Sequence, residues 1–283
     1  MTASSSVGDP AGEKTTARAI GAALLDAAVR PLRGILSYFG DHSMLLGSAI
    51  RALFRKPFRT RLFLDQMEFV GVKSLPIICL VGFFSGAVSA QQAISALRIF
   101  NQERFVGATV GLSLAQELAP VFTALMITAS CGSGMATELG SMRITEQIDA
   151  LSTFAVDPIQ YLVTPRIVAS VLMMPIMTMV FNIVGLIGAY LFSIYLEHID
   201  LGQFIEQFTY WTDPKDYIIG GTKSAVFGLT LSVAACLQGF YVRGGAKEVG
   251  LATTRAVVAG SVSVLVSDYF LIDIFHILWP YQS

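Results

Sequence analysis

Five long apolar segments place the strongest constraint on what this chain can fold into. Each reaches or exceeds the roughly 20 residues that a helix needs to cross a bilayer. Inside a bilayer the backbone hydrogen bonds of such a segment must be made within the segment itself, which favours a helix. The segments comprise residues 74–97, 105–137, 167–196, 217–242 and 256–278. They predict an all-α polytopic membrane protein with five transmembrane helices, and therefore with its two termini on opposite sides of the membrane.

The composition agrees with this class and helps to divide the rest of the chain. Only 14% of the 283 residues are charged, against about 25% in soluble domains. Residues 1–18 lack the apolar core of a signal peptide and predict a disordered N-terminal tail. Residues 19–73 mix apolar with basic side chains, so we expect an amphipathic helical region at the membrane interface, with a solvated helical linker as the alternative. Residues 74–283 form the predicted five-span domain.

The Lys and Arg residues of the short loops predict the orientation. The first 61 residues hold nine Lys or Arg residues against four Asp or Glu residues. The loops after the second and fourth segments add further basic residues on the same side, namely Arg143, Arg166, Arg243, Lys247 and Arg255. By the positive-inside rule the N-terminus is cytoplasmic and the C-terminus lies outside. Residues 138–151 then lie in the cytoplasm, where a soluble partner can reach them.

Glu117 is an acid placed well inside the second apolar segment. An ionised carboxylate that faces lipid at this depth costs several kcal/mol, so the side chain should face a cavity, be paired or be neutral. Gln116 precedes it and Pro120 follows, which indicates a locally broken helix around a polar site. We interpret Gln116, Glu117 and Pro120 as lining a substrate cavity. A structural hydrogen bond between helices is the alternative for Glu117.

Two further charged residues lie within apolar segments. Asp268 is deep in the fifth segment, and we interpret it as the structural partner of a buried donor elsewhere in the bundle. Lys223 is near one end of the fourth segment, from which its side chain can extend to the membrane surface. Residues 82–86 and 107–111 are GxxxG patterns, which serve close helix packing either within one chain or in a dimer.

Residues 138–151 form a polar segment between two apolar ones, and its pattern predicts a helix. An apolar stripe recurs at near-helical spacing and consists of Leu139, Met142, Ile148 and Leu151. The remaining positions are mostly polar or charged: Glu138, Arg143, Glu146, Gln147 and Asp149. An apolar stripe that contains Met is suited to docking into a groove on a partner protein. The alternative is a helix that packs on its own bundle.

The sequence contains no motif for chemistry of its own. It has no P-loop, no zinc-ligand spacing and no Ser/His/Asp arrangement, and its three cysteines stand singly in apolar runs. We therefore predict a protein that is not an enzyme, with no catalytic residue, metal site or bound cofactor and with no nucleic-acid partner. If the protein performs energised work, a partner chain binds the ATP and Mg²⁺.

Several motifs resemble one family, the MlaE/YrbE permeases, which are the membrane subunits of ABC transporters that work with MCE proteins in lipid trafficking. The motifs are LAQELAP at residues 114–120, ATELGSMRITEQIDAL at 136–151, VDPI at 156–159, TPR at 164–166, and the runs 239–250 and 252–258. The resemblance covers about residues 35–278. Gln116 stands where many members have Arg, and Ser130 and Cys131 occupy a stretch often written Gly-Arg-Ala-Gly.

The resemblance implies a homodimeric permease of the bacterial inner membrane with an interfacial N-terminal helix. It implies that residues 138–151 are a coupling helix on a cytoplasmic ABC ATPase, with a role for Glu138, Leu139, Met142, Arg143, Glu146, Gln147 and Asp149. It further implies a phospholipid cavity near Glu117 at the dimer centre and an MCE protein on the outer face. A small regulatory subunit is compatible with this assembly.

Two functions of other classes compete with this interpretation. The first is a membrane scaffold that transports nothing and recruits cytoplasmic partners through residues 138–151. The second is a secondary transporter that uses Glu117 and Asp268 as proton sites. Five spans without a visible inverted repeat disfavour the secondary transporter.

Overall fold

The computed structural model describes residues 40–55 and 59–278. The chain divides into two compact units, residues 1–45 and residues 46–283. Of the first unit, residues 40–45 are described, and they are helical. The predicted tail at residues 1–18 and the part of the interfacial region at residues 19–39 lie outside the described residues. The description that follows concerns the second unit.

Helices make up nearly all of the described second unit, in agreement with the predicted all-α class. The first, α1, comprises residues 46–53. The others are α2 (Thr60–Gly71), α3 (Leu75–Arg98), α4 (Val106–Ser113), α5 (Ala119–Ile127), α6 (Ser133–Ile144), α7 (Gln147–Thr153), α8 (Thr164–Leu191), α9 (Leu201–Trp211), α10 (Pro214–Phe240) and α11 (Ala246–Leu278). Five-residue π-helical turns occur at Leu114–Leu118, Thr128–Gly132, Ile159–Val163 and Phe192–Leu196.

Among the described residues, five helical segments are long and apolar enough to cross a membrane, in agreement with the predicted number. They are span 1 (Thr60–Arg98), span 2 (Glu103–Ile144), span 3 (Ile159–Leu196), span 4 (Pro214–Phe240) and span 5 (Ala246–Ile277). Several extend beyond the apolar runs because the helices continue into polar flanking sequence. A straight helix as long as span 2 measures roughly 60 Å, against the roughly 30 Å of a hydrocarbon core. Part of that span therefore lies outside the apolar layer.

Glycines allow spans 1 and 3 to approach closely. A Cβ atom added at Gly86 would overlap the backbone of Gly185 on α8, and one added at Gly82 would lie 3.3 Å from the carbonyl oxygen of Phe181. The first GxxxG pattern therefore packs two helices of the same chain, which is one of the two uses expected for it.

Helix α9 lies between spans 3 and 4 and was not predicted. The side chain of Asp200 caps its first turn by accepting a hydrogen bond from the backbone N–H of Gln203 over 3.0 Å. The helix packs on α4, where a Cβ atom at Gly107 would overlap the backbone of Phe204. The second GxxxG pattern thus also serves packing within the chain.

The chain order places α7 and α9 at opposite ends of the bundle. The end of span 2, the start of span 3 and helix α7 share one end, which we call the α7 end. The end of span 3, helix α9 and the start of span 4 share the other, which we call the α9 end.

Candidate functional site

A buried lysine joins three spans at the centre of the candidate site. Lys223 Nζ on span 4 lies 2.6 Å from Glu117 Oε1 on span 2 and 3.2 Å from Asp268 Oδ1 on span 5. The Lys223 side chain is 1% exposed, whereas those of Glu117 and Asp268 are 40% and 16% exposed. We call these three residues the lysine cluster. The expectation that Lys223 extends to the membrane surface is wrong.

The depth of Lys223 explains why it is paired inside the bundle. It lies nine residues after Pro214, which corresponds to about 13 Å along the helix at a rise of 1.5 Å per residue. A buried ammonium group without a counter-charge is costly in an apolar environment. Two carboxylates from neighbouring spans supply that counter-charge. Lys223 therefore holds spans 2, 4 and 5 together.

The local backbone of span 2 directs Glu117 and Gln116 towards α10. Both residues lie in the π-helical turn Leu114–Leu118, and such turns are frequent at functional sites. Gly220 of α10 lies directly against this turn, because a Cβ atom there would overlap the carbonyl oxygen of Ala115. The same added atom would lie 3.3 Å from Pro120 Cγ, so the buried Pro120 packs against α10 as well.

Gln116 has a different partner from its neighbour. Its side-chain amide Nε2 donates to Asp216 Oδ1 over 2.7 Å, and Asp216 is largely buried. Asp216 Oδ2 in turn accepts a hydrogen bond from the backbone N–H of Asp213 over 2.8 Å, as part of the capping box of α10. Gln116 therefore binds the first turn of span 4, about two turns of helix away from Lys223.

The predicted coupling helix at residues 138–151 is two helices, so the prediction of one continuous helix is wrong. Helix α6 ends at Ile144 and α7 begins at Gln147, with Glu146 between them at a φ of 60°. Leu139 and Ile148 explain the turn. Nine residues apart, they would lie on opposite faces of a straight helix at about 100° per residue. Both are buried in the structure, which requires the chain to turn.

The side chains of this α6–α7 segment divide into a buried and an exposed set. Leu139 packs against Gly239 of α10 and is not available to a partner. Met142 is half-buried and lines a shallow groove together with Glu138 and Gln147. Across the turn, Arg143 Nη1 lies 2.6 Å from Asp149 Oδ1. The exposed members of the predicted docking set are Glu138, Glu146, Gln147 and Asp149.

The sequence did not predict the buried ion pairs of two residues, Lys223 and Arg166. Lys223 gave a signal, since it is a cation within an apolar segment of a chain that also carries two intramembrane acids. Arg166 was counted as a loop residue for the orientation, but it is 3% exposed and forms an ion pair with Glu138. Its position at the start of a bilayer-length apolar run was the available signal.

Comparisons with known proteins identify the family. The model of the Permease MlaE family matches residues 63–274. A Rickettsia felis protein named "Probable ABC transporter permease protein" is 38% identical over 236 residues, which is 83% of this chain and 91% of that protein. The intermembrane phospholipid transport system permease protein MlaE of Haemophilus influenzae is 35% identical and covers 81% of this chain and 87% of its own length. Protein TRIGALACTOSYLDIACYLGLYCEROL 1, chloroplastic, of Arabidopsis thaliana is 33% identical over 82% of this chain and 66% of its own length. This chain therefore belongs to the MlaE permease family and is a multi-pass membrane permease subunit of an ABC transporter.

Proposed function

We propose that this permease moves phospholipid, or a related lipid, between the membrane and an MCE protein. It does so as a homodimer in the bacterial inner membrane, with its N-terminus in the cytoplasm. A separate cytoplasmic ATPase binds ATP and Mg²⁺ and drives the transport, so the permease itself binds no cofactor. A small regulatory subunit is a further candidate member of the assembly.

The observation that carries this proposal is the lysine cluster. It connects three of the five spans inside the apolar part of the bundle, where ionisable groups are rare and commonly mark substrate pathways. Lys223 is buried, but the Glu117 side chain is 40% exposed at the surface of the subunit. Glu117 can therefore contact a lipid head group in a cavity formed with a second copy, while Lys223 and Asp268 hold it in position.

The names of two relatives support a lipid substrate. That of the Haemophilus influenzae relative refers to intermembrane phospholipid transport. That of the Arabidopsis thaliana relative refers to a galactose-bearing diacylglycerol lipid. We assign the same class of substrate to this chain, because both relatives match more than four-fifths of it.

Span 2 provides the mechanical connection from an ATPase to the lipid. One helical segment runs from Glu103 to Ile144, so α6 and Glu117 belong to the same structural element. Its two π-helical turns, Leu114–Leu118 and Thr128–Gly132, are sites where such a helix can bend. When ATP closes the ATPase dimer, α6 and α7 move with it and shift the lysine cluster. Nucleotide changes the transport state only through contacts that differ between the two states.

The exposed apolar face of span 5 supports the homodimer. Val258, Leu265 and Tyr269 lie on it, and each has more than half of its surface exposed. Asp268, from the same helix, points instead to Lys223. In the proposed homodimer a second copy packs on this face, and the two Glu117 side chains border a shared cavity.

The two competing functions are less well supported. The secondary transporter requires Glu117 and Asp268 to act as proton sites, yet both are paired with the same lysine, which ties them to the packing of spans 2, 4 and 5. The scaffold and the transporter predict the same docking surface but differ at Glu117. A scaffold has no use for a half-exposed acid in the middle of a span.

The decisive experiment is to purify the tagged chain in mild detergent and to identify the proteins and lipids that accompany it. We expect an ATPase, an MCE protein and bound phospholipid. The complex, reconstituted in liposomes, should then transfer fluorescent phospholipid only with ATP. Glu117→Gln, which leaves Asp268 as the counter-charge of Lys223, should abolish the transfer without loss of assembly. The control Glu206→Gln, on the exposed surface of α9, should leave the transfer intact. A chain that purifies without an ATPase, or ATP-independent transfer, would overturn the proposal.

A further inference from the structure

A cavity of about 200 Å³ lies at the α7 end, away from the lysine cluster. It is bordered by the end of α1, by α2 and by the linker between α7 and span 3. Gln160 closes one side, because its side-chain amide Nε2 donates to the backbone oxygen of Arg55 over 2.7 Å. We call this cavity the basic pocket, since Arg55 and Arg59 both line it.

The described residues engage the guanidinium groups of the basic pocket only weakly. Arg55 Nη1 lies 3.5 Å from Asp157 Oδ2, and the two side chains are 67% and 36% exposed, a geometry typical of weak ion pairs. Arg59 lies over the ring of Tyr161, 5.0 Å from its centroid. Within residues 40–55 and 59–278, no oxygen accepts a hydrogen bond from Arg59. The described part of the lining carries two positive charges against one negative charge, and it has guanidinium N–H donors without a described acceptor.

Apolar groups lie beside these charges. Leu62 and Phe63 of α2 line the same cavity as the arginines. Phe54 and Leu64 are neighbours of lining residues in the sequence and are 82% and 63% exposed. A free anion would use the guanidinium groups alone. A ligand that has an anionic head and an apolar body would use both parts of the pocket.

We propose that the basic pocket binds the phosphate group of one anionic phospholipid from the leaflet at the α7 end. Guanidinium groups bind phosphate oxygens in a bidentate, charge-assisted manner, which a lysine does not reproduce. The phosphate competes with Asp157 for Arg55 and pairs directly with Arg59. The acyl chains then lie along Leu62 and the exposed apolar side chains. This site takes one lipid per chain, which distinguishes it from the general attraction of a basic segment to an anionic surface.

The bound lipid would also hold the linker that follows α7. Ala155, in this linker, lines the basic pocket and has a φ of 57°, an uncommon conformation for a residue with a side chain. A lipid between α2 and this linker fixes α7 relative to span 1. The positioning of α7 by the lipid rests on the proposed function, because only the ATPase activity of the assembled transporter would reveal it. Binding of the lipid can be measured without that assembly.

The binding test uses the full chain in mixed micelles and native mass spectrometry. Phosphatidylglycerol is the anionic probe, phosphatidylcholine is the neutral comparison, and inorganic phosphate is a competitor without acyl chains. The test variant is R55Q/R59Q. The matched control is R51Q/R61Q, which removes two nearby exposed arginines that do not line the pocket. Thermal unfolding of each variant verifies that the fold is intact. A further variant, Arg59→Lys, keeps the positive charge but lacks the planar guanidinium group that binds phosphate in a bidentate manner.

We expect one tightly retained phosphatidylglycerol per chain in the native protein and in R51Q/R61Q. R55Q/R59Q should bind it at least about tenfold more weakly, with an intermediate effect of Arg59→Lys. Equal retention by R55Q/R59Q and the native chain would overturn the site, as would equal retention of phosphatidylcholine. Phosphate that displaces the lipid at equal concentration would show a free-anion site and overturn the lipid assignment. These results do not depend on transport, so they are separable from failure of the proposed function.

Discussion

Arg166 Nη2 lies 2.8 Å from Glu138 Oε2, which connects the start of span 3 to the end of span 2. The two side chains differ strongly in exposure, at 3% for Arg166 and 53% for Glu138. Arg166 Nη1 also donates to the backbone oxygen of Leu162 over 2.6 Å. A guanidinium group is therefore buried in the bundle, and its counter-charge is supplied by a residue on the surface proposed to contact the ATPase.

Glu138→Gln should destabilise the chain because it leaves Arg166 buried without a full counter-charge. Removing one partner of a fully buried pair costs about 3–5 kcal/mol. Glu138 is half-exposed and water can partly replace it, so we expect about 1–2 kcal/mol here. The measurement is thermal or denaturant unfolding in detergent. Asp149→Asn is the matched control, because it breaks the exposed pair with Arg143 and should cost less than about 1 kcal/mol.

A double-mutant cycle with Arg166→Gln would isolate the interaction between the two residues. The double variant E138Q/R166Q should be less destabilised than the sum of the two single variants. Additive effects would show that the pair has no energetic coupling and that Arg166 is stabilised by the backbone alone.

Variants of the lysine cluster should affect the stability of the chain and lipid transfer differently. Lys223→Met removes the cation and leaves two carboxylates side by side, so we expect a clearly lower melting temperature and no lipid transfer. The triple variant E117Q/K223M/D268N replaces the ion network by neutral groups of similar size, which is often neutral or stabilising in proteins. We expect it to regain most of the lost melting temperature while lipid transfer stays absent. Recovery of transfer in the triple variant would show that the charges serve only the packing.

The five spans could be predicted from sequence because the length of an apolar run determines whether it can cross a bilayer. The contacts that form the candidate site could not, since they depend on how the spans are arranged in space. Glu117 and Lys223 are 106 residues apart, and nothing in the sequence around either residue indicates that the two are in contact. The sequence pattern suggested a partner for Asp268 without identifying it.

The turn within residues 138–151 shows a second limit of the sequence pattern. Apolar residues at near-helical spacing predicted one helix with a single apolar face. In the structure Leu139 packs on span 4, and Ile148 is buried after the chain has turned at Glu146. Burial of both residues in their own bundle outweighs helix continuity. Helix α9 was missed because the sequence was searched for segments long enough to cross the membrane. At eleven residues, α9 is too short to be one of them.

Close backbone packing between spans 1 and 3 predicts a strong difference between two glycines. Gly86→Ala should prevent folding or lower the melting temperature severely, because the added Cβ atom overlaps the backbone of Gly185. Gly221→Ala, within α10, adds a Cβ atom whose nearest neighbour is Met179 Cε at 3.9 Å, and it should be neutral or stabilising by up to about 1 kcal/mol. The yield of monodisperse protein and its melting temperature measure both effects. Equal tolerance at the two positions would contradict the observed packing.

The final prediction concerns the groove beside Met142 as the docking surface for the ATPase. Met142→Asp places a charge at a half-buried apolar position of the α6–α7 segment, so we expect the chain to insert and dimerise normally but to lose its ATPase during purification. The measurement is the stoichiometry of the ATPase that is recovered with the tagged chain.

Two controls make this result specific to the groove. Leu201→Asp introduces the same charge at an exposed apolar position of α9, at the opposite end of the bundle, and should leave the ATPase bound. Leu139→Asp should instead destabilise the chain, because Leu139 is buried against Gly239 and not exposed to a partner. An ATPase retained at full stoichiometry by Met142→Asp would refute the docking surface, since only contact through this groove makes a partner sensitive to a charge there.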